Sequence, residues 1–132
     1  MLGIFFIACG GGELTAFPSQ IQWGDVDFQS SMPEDGYDAQ NIMLTNTGTA
    51  NIELSLDDYD DIHICLKGLD GAQELGMLEA DTTYSLLVGA CGYQPEKGER
   101  DTEQTGVISI THSGANSPVT IPWSFTPVLV IQ

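Results

Sequence analysis

Apolar and polar residues alternate along most of this chain in short runs, and clusters of Gly, Asn, Pro and Asp separate the runs. Alternation with period two marks a half-buried strand, whereas an amphipathic helix repeats its apolar positions every three to four residues. No stretch sustains the helical period, so the pattern predicts an all-β protein. Strands are expected at Gln20–Trp23, Gln40–Asn46, Asn51–Leu56, Ile62–Leu66, Thr82–Tyr93, Gly106–Thr111 and Val119–Val128. In "NIMLTNTGTANIELSL", Ile42 and Leu44 share one face, and after the turn "NTGTAN" so do Ile52, Leu54 and Leu56. In "GVISITHSGANSPVTIPWSF" a Gly-, Asn-, Ser- and Pro-rich connection lies between two alternating runs, the pattern of a hairpin. The stretch Gly68–Glu79 lacks alternation and reads as a loop with one short helical turn.

Seven short strands at this spacing predict an immunoglobulin-like β-sandwich with two mainly antiparallel sheets. A length of 132 residues suits one such domain, and 42% apolar residues, with Trp23 and Trp123 among them, supply a core. Charge changes the picture more. Nineteen acidic residues face three basic ones, Lys67, Lys97 and Arg100, for a formal net charge of -16. A field of that sign repels phosphate backbones and anionic lipid surfaces, so no nucleic-acid partner is expected. The carboxylates are spread along the chain, which reads as a solubilising surface rather than a binding tail.

The amino-terminal run "MLGIFFIACGGGE" departs from the alternation. Residues 1–8 are apolar or Gly, far short of the roughly twenty that span a bilayer. The tetrad Phe6-Ile7-Ala8-Cys9 resembles the end of a bacterial lipoprotein signal, in which the cysteine is lipidated and becomes the new amino terminus. That resemblance implies a signal remnant at 1–8, a lipidated Cys9 with a Gly-rich tether at 9–16, and a membrane contact made by the lipid alone. The alternative is an apolar strand ending at a Gly turn, with Cys9 an ordinary thiol.

Four motifs in order resemble the Hydin-like or ASH immunoglobulin-like domains, which include the bacterial choice-of-anchor D domains. These are "IQWGDV", "LTNTGTANIEL", "CGYQP" and the closing "GVISITHSGANSPVTIPWSF", and the resemblance covers residues 17 to 126. It implies a domain over 17–128 that serves as a scaffolding or interaction module without catalytic residues. The apolar residues after Pro127 then form an extension at 129–132, expected to lead into a further domain or onto a protein partner, with Leu129 and Ile131 exposed or disordered; the alternative keeps residues 128–131 on the domain's own core.

Candidate chemistry is sparse. Cys65 and Cys91, 26 positions apart, form either a disulfide in an oxidising compartment or two buried free thiols. His63, Cys65, Cys91 and His112 make a candidate zinc or copper set, weighed against a surface histidine beside a buried cysteine. Asp57, Asp58, Asp60 and Asp61 in "LDDYDDIHI" are candidate calcium ligands in a loop, weighed against a solvated turn, and no other cofactor is expected. Nucleophile elbow, phosphate loop and HExxH helix are all missing from the sequence. The expectation is therefore a non-catalytic structural or adhesive module on an exported, lipid-anchored protein of a bacterial outer membrane or cell surface, with the periplasm second. The alternatives are a periplasmic metal-binding protein and a phage virion surface protein.

Overall fold

A computed structural model describes residues 11–28, 36–58, 62–67 and 74–129. The described residues form nine strands: β1 (Leu14–Phe17), β2 (Ile21–Phe28), β3 (Tyr37–Asn46), β4 (Ile52–Asp58), β5 (Ile64–Lys67), β6 (Glu74–Leu78), β7 (Thr83–Ala90), β8 (Gln104–His112) and β9 (Val119–Leu129). Two sheets pack face to face, one in the order β1-β3-β7-β5 and the other β2-β9-β8-β4-β6. Every pairing is antiparallel except β2 with β9. The immunoglobulin-like sandwich expected from alternation is the architecture found.

Alternation works because each sheet has one face on the core and one in solvent. On β3, Ile42 and Leu44 are fully buried, while Met43 between them is 39% exposed. The "NTGTAN" turn carries the chain from β3 in one sheet to β4 in the other, and β8 and β9 form the expected antiparallel pair. At one end of the core, Phe125 lies between Trp123 (5.7 Å, stacked), Phe28 (5.9 Å) and the edge of Trp23 (6.0 Å). Gly106 pairs with Trp123 across β8 and β9, and a Cβ at Gly106 would sit inside the indole, 2.6 Å from Cε2. The glycine makes room for the ring.

Three expectations need correction. The expected loop over Gly68–Glu79 contains strand β6, because Glu74–Leu78 pairs with β4 instead of coiling. The expected β2 of four residues is twice as long, running on to Phe28 beside β9. The flexible tether over 9–16 is, in its described part, built into the sandwich. Leu14 is 1% exposed and opens β1, and the Thr47 and Ala115 amides donate to the Glu13 and Gly12 carbonyls at 2.8 and 3.0 Å. Apolar burial at Leu14 and backbone pairing on both sides hold a segment whose glycines alone would leave it free.

Asn46 organises this junction. Its side-chain amide nitrogen Nδ2 donates to the Ala50 and Leu78 carbonyls (2.8 and 3.0 Å), and its oxygen accepts from the Gly48 and Glu13 amides (3.0 and 3.3 Å). One buried side chain thereby joins β3, the turn, the end of β6 and the entry to β1. A Cβ on Gly48 would lie 2.6 Å from Gly12 Cα and 2.7 Å from the Glu13 nitrogen, so a glycine is needed where the amino-terminal segment crosses. The Asn and Gly of "LTNTG" thus have a physical reason.

Candidate functional site

Cys65 lies on edge strand β5 directly opposite Gly89 of β7, and Cys91 follows the last residue of β7. Ile64 and Ala90 point into the core, so alternation turns both cysteines to the outer face, where each is half-buried. The two are joined in a disulfide with Cα atoms 5.4 Å apart, a separation that bridges require. The Cys91 amide also donates to the His63 carbonyl at 2.7 Å, extending the ladder one step beyond β5.

His63 itself is not the surface residue expected. It is buried beside Trp123 and Phe125, with ring centroids 5.9 and 6.3 Å away, and its Nε2 lies 2.9 Å from Glu99 Oε1. The same oxygen accepts the Gln94 amide at 2.6 Å. This pair ties the start of β5 to the connection between β7 and β8, where a 3-10 turn occupies Pro95–Lys97.

His112 sits at the opposite end of the sandwich, on the inner face of β8 with Ile108 and Ile110, and is 6% exposed. The Gly114 amide donates to its Nδ1 at 2.9 Å, so the neutral ring carries its proton on Nε2, which is buried and has no hydrogen-bond partner among the described residues. Burial holds its pKa below the ordinary 6.5, an effect partly offset by Asn116.

The proposed zinc or copper set is therefore overturned. Cys65 and Cys91 are spent in the disulfide, His63 is engaged by Glu99, and His112 belongs to a different corner. Among the described residues no group of three His, Cys, Asp or Glu is gathered as metal ligands. Asp57 and Asp58 belong to strand β4 rather than to a loop; their side chains, and all of Asp60 and Asp61, lie outside the described residues, as do Cys9 and Ile131. The β9 backbone continues to Leu129, whose side chain is also outside them.

Two open clefts indent the five-stranded sheet. One, of about 420 Å³, is lined by Glu53, Ser55, Thr111, His112 and Ser113 among others. It brings Ser, His and Glu together in name only, because the Ser113 hydroxyl accepts the Glu53 amide at 3.0 Å and the His112 Nδ1 is taken by Gly114. A nucleophile needs its base within hydrogen-bond reach. The other, of about 430 Å³, is a shallow depression beside β2 lined by Gln20, Gln22, Thr105, Val107, Pro122 and Ser124 among others.

The sandwich is similar to that of a protein of unknown function from Porphyromonas gingivalis W83, with a TM-score of 0.62 and 13% identity over 88% of this chain and 48% of that one. The chain thus spans about half the length of that protein. It is also similar, end to end, to the ASH/PapD-like domain 7 of human CEP192, with a TM-score of 0.59, 10% identity, and coverage of 99% of this chain and 96% of that one. The chain has an ASH/PapD-like immunoglobulin fold. No protein-family model matches its sequence, and no curated protein matches it. The ASH-like architecture expected from the four motifs is that of the CEP192 domain. Alternation alone does not reveal the His63–Glu99 pair, whose members stand 36 positions apart, nor the second half of β2, Gly24–Phe28, which lies beyond the expected strand Gln20–Trp23.

Proposed function

We propose that this chain is a non-catalytic interaction module of an exported, lipid-anchored bacterial envelope protein, with a structural or adhesive role. The observation that carries the reading is the Cys65–Cys91 bridge on an ASH/PapD-like sandwich. Disulfides persist in oxidising compartments and are rare in reducing ones, so the bridge favours export. The fold supports the module reading because its surface is made of sheet faces, edges and shallow clefts, and Ser113, His112, His63 and Glu99 are engaged in structural hydrogen bonds. The lipid anchor rests on the resemblance of "FIAC" to lipoprotein signals, and Gly10 after the cysteine carries no signal for inner-membrane retention, which favours the outer membrane.

Mass spectrometry of the native protein, extracted from its host's envelope without reductant, tests both parts. The expected peptides are an acylated Cys9 at the amino terminus and a Cys65–Cys91 crosslink. An unmodified Met1–Cys9 peptide, or free Cys65 and Cys91 thiols in the native protein, overturns the reading.

A further inference from the structure

Four strands end the two sheets, and three of them are poor templates for a further strand. β1 and β5 have four residues each, and β6 has five with Gly76 at φ 95 and a slipped register against β4. β2 differs. It has eight residues, and from Gly24 to Phe28 it pairs with β9 in unbroken register. On its other side, among the described residues, its backbone makes no hydrogen bond outside the sheet ladder. An open edge of this kind offers a row of unpaired amides and carbonyls.

Side chains on β2 decide what that edge accepts. Asp25 and Asp27 project to the outer face and are exposed, while Val26 and Phe28 are buried. Trp23 is half-buried at the seam between the sheets, where its indole N–H donates to the Asp38 carbonyl at 2.8 Å. A second copy pairing antiparallel about Val26 would set Asp25 against Asp27 twice, and like charges directly opposite each other are destabilising. The two carboxylates therefore disfavour that self-pairing, and the same geometry favours a strand with cations at those positions.

We propose that the outer edge of β2 receives an extended protein segment in which Lys or Arg alternates with apolar residues. Its main chain extends the five-stranded sheet, its cations face Asp25 and Asp27, and its apolar residues continue the inner face beside Trp23. The net charge of -16 steers such a basic segment toward the chain, and the ladder supplies register. The proposal rests on the interaction-module reading and names its surface. It is tested on the purified chain, so its failure leaves the export and acylation result untouched.

The probe is an alternating Val-Lys peptide, titrated into the full chain, with amide hydrogen exchange read residue by residue. Binding should slow exchange at outer-edge amides within Gly24–Phe28 and at no other edge. Asp25→Lys with Asp27→Lys should weaken binding by at least about tenfold and confer binding of an alternating Val-Glu peptide, while Glu96→Gln with Asp101→Asn should change nothing. Urea midpoints equal to that of the parent would show that both variants fold. A Val-Lys peptide N-methylated at alternate residues, on the side that would face β2, should not bind. Equal binding by the methylated peptide, protection elsewhere, or insensitivity to the Asp25 and Asp27 swap would reduce the attraction to diffuse charge and overturn the proposal.

Discussion

Asn46 and His112 are both buried polar residues, and they differ in what their neighbours offer. Asn46 has four hydrogen bonds for its two donors and two acceptor sites, so burial costs it little. The His112 ring accepts one hydrogen bond at Nδ1, and its buried Nε2–H finds no partner among the described residues, a deficit of about 1–3 kcal/mol for a neutral donor. Protonation would worsen it, because a proton on Nδ1 would point at the Gly114 amide that now donates there. The pKa of His112 in the folded chain lies below 6.5, so the unfolded chain binds the proton more readily. Stability from this residue is therefore complete above about pH 6.5 and lost as the pH falls through the lower folded value. Urea unfolding between about pH 7.5 and 5.5 should show a falling midpoint in the parent and a flatter profile in His112→Gln. Parallel profiles would show that His112 contributes no such linkage.

At the scale of the strand, register is the testable quantity. Leu44 is buried and Met43, its neighbour, is on the outer face of the same strand. Leu44→Ala should cost roughly 2–5 kcal/mol in urea unfolding and Met43→Ala under about 1 kcal/mol; equal losses would mean that β3 is shifted by one residue. Strands like β3, with one face dry and one wet, were the readable ones. β6 was not, because Gly76 at φ 95 and a register slip leave Leu75 half-buried, Met77 exposed and Leu78 buried, which breaks period two. β1 was hidden in another way: it is four residues long, and the groups that hold its start at Glu13 and Leu14, Asn46, Thr47 and Asn116, lie 33 to 102 positions away. The same distance in sequence concealed His63 and Glu99. The cysteine pair was legible as a pair of types in neighbouring strands, but the bridge could only be placed once β7 ended at Ala90 and set Cys91 on the face of Cys65.

For the whole molecule, the distribution of charge outweighs any single ion pair. Of the three basic residues, Lys97 and Arg100 both lie on the connection between β7 and β8, so the nineteen acidic residues spread along the chain share few cations. Among the described residues Glu99 meets a basic side chain in His63, through a hydrogen bond that is nearly buried. Self-repulsion of this kind destabilises the compact state and is long-ranged, so added salt relieves it as the screening length falls from about 10 Å at 0.1 M to about 3 Å at 1 M. Raising NaCl over that range should raise the melting temperature by at least about 3 °C, the shift that roughly 1 kcal/mol produces in a domain of this size. The same salt should weaken the alternating Val-Lys peptide, whose approach depends on the unscreened field. Stability and binding thus respond to one variable with opposite signs. A melting temperature that falls or stays level with NaCl would show that the -16 charge is already balanced within the fold, and would remove the electrostatic part of the case for a basic partner strand.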